Sequence, residues 1–95
     1  MTTVDTTQAT LAPAPDVLFQ NLGGEGVALN LASGKYYGFD AVATRMWTLL
    51  IAGASVPQVL AALSAEYDVA QPQLAHDLDV FIERLVRDGL LATDS

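Results

Sequence analysis

The sequence predicts an α+β domain: three short antiparallel strands, then three α-helices. Three observations carry this. Between Val17 and Phe39, short apolar runs are separated by glycine-containing turns, and each run has strand length rather than helix length. From Asp40 onward, apolar residues recur at helical spacing, and each such stretch opens on a capping residue or a proline. At 95 residues the chain makes one small domain at most.

The elements follow in order. Residues 1–15 are rich in Thr, Ala and Pro and have neither a helical nor a strand period, so they read as a flexible tail ahead of a folded domain over 16–92. Val17-Leu18-Phe19 opens the first strand. Gly23-Gly24-Glu25-Gly26 is turn-rich, because glycine takes positive φ without steric cost. Val27-Ala28-Leu29-Asn30-Leu31 alternates at period two, with Val27, Leu29 and Leu31 on one face. Ser33-Gly34 marks a second turn, and Lys35 to Phe39 is the third strand, with Tyr37 and Phe39 expected toward the core and Tyr36 and Gly38 away from it. A lone three-stranded sheet must cover its apolar face with the helices that follow.

Asp40 is a good N-cap for a helix over about Ala41 to Ala52, whose stripe is Val42, Met46, Trp47, Leu49 and Leu50, with Gly53 as its stop. Ser55-Val56-Pro57-Gln58 has the capping-box pattern and opens a second helix carrying Val59, Leu60, Leu63 and Tyr67. A third helix runs from about Pro72 to Asp88 with the stripe Leu74, Leu78, Phe81, Ile82, Leu85; Gly89 ends it, and Leu90-Leu91 fold back over the core. Short helices with tight connections suit a winged helix-turn-helix-like arrangement. In a simple meander the third strand is an edge, since its end leaves directly into a helix. Natural edges are blunted by charge, proline or a cover; this one has a single Lys35 at its start and no proline, so it is open to a guest strand.

Composition narrows the function. The net charge is −7, with 11 acids against four bases, Lys35, Arg45, Arg84 and Arg87. Nucleic-acid binding rests on clustered Lys and Arg, and anionic membrane surfaces attract basic segments; neither partner is expected. The absence of cysteine excludes disulfides, a thiol nucleophile and thiolate metal sites. The N-terminus lacks a basic region and a continuous apolar stretch, and no run is long and apolar enough to span a bilayer, so the expected location is the cytoplasm. His76-Asp77-Leu78-Asp79 is the one cluster of His with carboxylates, too few ligands for a zinc site and better read as a solvated helix face. No serine sits in a nucleophile motif, and the glycine run opens no helix to cradle phosphate. No enzyme site, cofactor or metal is expected. A winged-helix nucleic-acid binder is the alternative the shape allows, but the third helix carries Asp77, Asp79, Glu83 and Asp88, which repel phosphate.

One resemblance covers residues 16 to 91. The ordered set of Gly34-Lys35-Tyr36-Tyr37, Trp47 followed by Leu49-Leu50, Tyr67-Asp68-Val69, Asp77 with Phe81 and Leu85, and Gly89-Leu90-Leu91 resembles the PqqD-like family, the recognition elements for precursors of ribosomally made, post-translationally modified peptides. The resemblance implies a non-catalytic module that captures a leader peptide as an added strand beside the third strand, in a groove walled by the third helix. Its implied peptide-binding residues are Lys35, Tyr36, Tyr37, Gly38 and Phe39 on the strand and Leu74, Asp77, Leu78, Phe81, Arg84 and Leu85 on the helix. Its implied partners are the precursor leader together with a leader peptidase, cyclase or other modifying enzyme, as in lasso-peptide pathways. The alternative within the family is a chaperone for the pyrroloquinoline quinone precursor with a radical SAM partner. Arg45 ahead of Trp47, and the long N-terminal tail, differ from the quinone-pathway pattern and favour a stand-alone leader-binding protein, expected as a monomer.

Overall fold

Two turns fold the apolar runs back on one another and so set the sheet. Gly23 and Gly24 have φ of +70° and +100°, the left-handed pair that a two-residue hairpin needs, and the Asn21 side chain accepts the Gly24 N–H at 2.7 Å. At the second turn Asn30 Oδ1 accepts from the N–H groups of Ala32 and Ser33 at 2.9 and 3.3 Å. The computed structural model describes residues 10–94. In chain order the elements are β1 (Thr10–Pro13), β2 (Val17–Leu22), β3 (Glu25–Asn30), β4 (Lys35–Phe39), α1 (Ala41–Ile51), α2 (Val56–Glu66), α3 (Gln71–Arg87) and β5 (Leu91–Asp94). β2, β3 and β4 form an antiparallel meander in that order, so the expected three strands and three helices are present. The glycine-rich stretch is shorter as a turn than the sequence suggests: Glu25 and Gly26 already belong to β3.

The faces of the central strand are the reverse of what its apolar alternation implies. Val27 and Leu29 do share a face, but the helices cover the other one, where Gly26, Ala28 and Asn30 are buried. The reason is close approach. The Gly26 N–H donates to the buried Thr44 Oγ1 of α1 at 2.8 Å, and the same hydroxyl lies 3.4 Å from the Phe39 carbonyl, to which it donates. A β-carbon on Gly26 would run into the Phe19 ring and stand 3.1 Å from Thr44 Oγ1. The neighbouring strands supply the bulk that β3 leaves out. Phe19 and Phe39 lie 5.3 and 5.7 Å from the fully buried Trp47 ring, centroid to centroid. Trp47 Nε1 has no hydrogen-bond partner among the described residues.

The helices start where the sequence places their caps. Asp40 accepts the Ala43 N–H at 2.8 Å, and Ser55 and Gln58 form the full capping box. Gly53 and Gly89 take φ of +97° and +75° just past their helices. The core joins Met46, Trp47 and Leu50 of α1, Val59 and Leu63 of α2, Leu74, Leu78, Ile82 and Leu85 of α3, and Leu90 and Leu91. Arg45 pairs with Glu66 through a forked contact at 2.9 Å, tying α1 to α2. Its hydrogen bonds and charge hold the Glu66 carboxyl below the usual glutamate range.

β1 and β5 are not part of the expected plan. Thr10–Pro13 pair antiparallel with Leu91–Asp94, so the last part of the expected tail is a strand; residues 1–9 of that tail lie outside the described residues. Ala14 N–H continues the pairing, donating to the Leu90 carbonyl at 3.0 Å. The pair joins the first and last described segments beside α1 and α3 and leaves the three-stranded sheet a separate sheet. No helix among the described residues is long and apolar enough to cross a membrane.

Candidate peptide-binding cleft

β4 pairs with β3 along one side, and among the described residues no strand pairs with its other side. That open edge faces α3, whose Phe81 ring meets the Phe39 ring at the end of β4. Between them lies a cleft of about 400 Å³. Tyr36, Tyr37, Gly38 and Phe39 form its strand wall, and Phe81, Arg84, Leu85 and Asp88 its helix wall. Asp40, Ala43 and Leu90 complete the lining. A second hollow continues from it past Asp40, Ala43 and Phe81 to Met46, Val69, Leu74 and Asp77. Phe81 therefore stands at the junction of the two, half-buried, with its ring edge-on to Phe39 at 5.5 Å.

The cleft has an apolar floor and charged lips. Asp77 accepts from Gln73 Nε2 at 2.9 Å on the outer lip. Arg84 is exposed and makes no ion pair among the described residues, where the one salt bridge is Arg45–Glu66. Such a trough can hold an extended chain: backbone groups of β4 offer hydrogen bonds along the edge, and the floor takes every second side chain. No group of three His, Cys, Asp or Glu side chains that could hold a metal occurs among the described residues.

The sequence-derived residues divide as follows. Tyr36, Tyr37, Gly38, Phe39, Phe81, Arg84 and Leu85 meet in the cleft, and Leu74 and Asp77 in its extension. Leu78 does not: it is fully buried and faces the core. Lys35 is exposed at the start of β4 and lines neither hollow. Asp77, Phe81 and Arg84 of α3 and its C-cap Asp88 follow at spacings of 4, 3 and 4 along the hollows; of the neighbouring buried stripe, Leu74 and Leu85 also reach the lining at its two ends, while Leu78, between them, stays covered. The cleft is also lined by Asp40, Ala43, Asp88 and Leu90, which sequence reasoning missed. For Asp40 and Ala43 a signal was present: the first turn of a helix that leaves an edge strand directly must lie at the end of that edge.

The family model for coenzyme PQQ synthesis protein D matches residues 25–91, which contain the whole cleft. The chain belongs to the PqqD family. No curated protein matches it significantly. Two solved structures are similar. One, "TbiB1 in Complex with the TbiA(beta) Leader Peptide", is 35% identical with a TM-score of 0.80, the match covering 84% of this chain and 93% of that one. The other, "Lasso peptide synthetase B1 complexed with the leader peptide", is 23% identical with a TM-score of 0.83, covering 88% of this chain and 99% of that one; at that identity it speaks for the fold. The sheet and helices described above are thus the fold of two leader-peptide-bound B1 proteins.

Proposed function

We propose that this protein is a non-catalytic recognition module that captures the leader segment of a ribosomal precursor peptide and presents the precursor to its modifying enzymes. The observation that carries the reading is the edge of β4, unpaired among the described residues, facing α3 across a cleft in which Phe39, Phe81, Leu85 and Leu90 stand among Asp40, Arg84 and Asp88. A leader is unordered when free, so its binding must offset the cost of ordering it. Backbone pairing along β4 and side chains set against Phe39, Phe81 and Leu85 supply that gain. Family membership and the 35% identity to TbiB1, solved with a leader peptide, support a leader-binding role; the pathway we favour is a lasso-type one, in which a leader peptidase and a cyclase are the partners. Holding the leader on one module raises the effective concentration of the remaining precursor at the enzyme, with no chemistry required of the module itself. The cytoplasm, where precursors are made, is the place for this work.

The family's own description favours a second reading, a chaperone for the pyrroloquinoline quinone precursor delivered to a radical SAM enzyme. Both use the same cleft and differ in the peptide. Titration of the protein with the TbiA(beta) leader peptide that the 35%-identical TbiB1 was solved with, followed by backbone amide NMR, tests the function. Shifts in Tyr36–Phe39 and along the Phe81 face of α3 are expected. Binding that leaves both silent, or cleavage of the precursor by the isolated protein, would overturn it.

A further inference from the structure

Nothing among the described residues explains Gly38. It lies inside β4 opposite Val27, where glycine weakens a strand because it has no side chain to pack. Its φ is not positive, so backbone conformation does not require glycine. A β-carbon built on it meets nothing within 4 Å, so packing does not require it either. Gly26 and Gly89 differ: a β-carbon on the first strikes Phe19, and one on the second comes within 2.9 Å of Asn30 Nδ2.

The surroundings of Gly38 are as unusual. It belongs to the sheet face turned away from the helices, with Leu18, Gln20, Leu22, Val27, Leu29 and Tyr36. Leu18, Leu22 and Tyr36 are 57%, 60% and 72% exposed. A shallow hollow beside Gly38 is bordered by Leu22, Val27 and Asp40, with Glu25 at its rim. The face is apolar, uncovered among the described residues, and continuous with the open edge of β4.

We propose that Gly38 is the seat for a bulky apolar side chain of the bound peptide, lying flat across the strand against Val27 and Tyr36. This rests on the reading of β4 as the peptide's edge. A strand added there sends alternate side chains to opposite faces. One set enters the cleft toward Phe39 and Phe81; the other lands on the outer face, and at Gly38 it finds a missing side chain between two apolar neighbours. A large ring or branched chain covering a glycine in the adjacent strand is a known stabilising device of sheets. Recognition is therefore two-sided, and its substrate class is an extended peptide with bulky apolar residues at consecutive, oppositely facing positions.

Random short peptides displayed on phage, selected separately on wild type, Gly38→Ala and Gly38→Val, test this, with amide NMR locating each binder. Wild-type binders that shift Tyr36–Phe39 should share a bulky apolar residue next to the inward-facing ones. On Gly38→Val the inward pattern should persist while the outward position becomes small. A wild-type-selected peptide should bind Gly38→Val about tenfold more weakly, equivalent to about 1.4 kcal/mol, with Gly38→Ala between. Both variants should melt no lower than wild type, since β-propensity rises. If no selected peptide shifts β4, the edge reading itself falls. If binders do shift β4 but Gly38→Val selects and binds the same peptides equally, this inference alone falls. A change in mass by light scattering on Gly38→Val, with peptide binding unchanged, would assign the face to a second copy of the chain and also overturn it.

Discussion

Replacing Phe81 with alanine separates the cleft from the core. A fully buried Phe→Ala change costs about 3–5 kcal/mol. Phe81 is half-buried, with one side packed on Phe39 and the other toward the cleft. Its edge-to-face pair adds about 0.5–1.5 kcal/mol beyond area, so a stability loss near 2 kcal/mol is expected, roughly half the full-burial cost. The binding loss should be as large. A central aromatic anchor removed from an interface costs about 2 kcal/mol or more, close to thirtyfold in affinity. Leu78→Ala is the matched control: Leu78 is 0% exposed, one residue stripe away on the same helix, and should lose about 2–5 kcal/mol of stability while the folded protein keeps its affinity. Urea unfolding gives the first quantity, and fluorescence anisotropy of a labelled leader, corrected for folded fraction, gives the second. The reasoning is refuted if Phe81→Ala loses the full-burial stability and leaves affinity intact, or if Leu78→Ala abolishes binding by folded protein.

Three further outcomes are expected. Gly26→Ala should destabilise the domain by about 1–3 kcal/mol through overpacking, because its new methyl meets the Phe19 ring and Thr44; an unchanged melting temperature would contradict the close approach of α1 to β3. Thr44→Val should cost about 1–3 kcal/mol by leaving the buried Gly26 N–H without its acceptor, and Thr44→Ser, which keeps the hydroxyl, should recover most of it in the same melt. The Glu66 carboxyl titrates below its ordinary value because of Arg45. Its contribution is therefore present above the usual glutamate range and lost as pH falls through the lowered value, and acid titrations of wild type and Glu66→Gln should converge at low pH and separate, slightly, at neutral pH.

Much of this fold is legible because its punctuation is local. Asp40, Ser55 with Gln58, Gly53 and Gly89 each declare a helix end through a hydrogen bond or a φ angle that few other residues supply. The open edge is legible for a topological reason, since β4 leaves its sheet directly for α1. The face of β3 is not. Apolar alternation says which residues share a side, and at Val27 and Leu29 it does so correctly. Which side the helices choose depends on volume in three dimensions, and here Gly26 and Ala28 win by letting Thr44 approach. The β1–β5 pair is hidden because it joins segments about eighty residues apart in sequence, and Thr-Leu-Ala-Pro carries neither alternation nor a turn signal. Helical spacing places Phe81, Leu85 and Leu78 on one apolar stripe of α3 but does not say which of them reach a surface hollow: Phe81 and Leu85 line the cleft, and Leu78 is buried beneath it.

The central claim is that a leader peptide becomes the next strand of the sheet beyond β4. Isotope-filtered NOE spectra of labelled protein with unlabelled leader test it most directly, alongside amide exchange. The account predicts interstrand contacts between the peptide backbone and Tyr36–Phe39, and slowed exchange of the β4 amides that point away from β3. Bound peptide with contacts elsewhere, and β4 amides that exchange as fast as in the free protein, would contradict it.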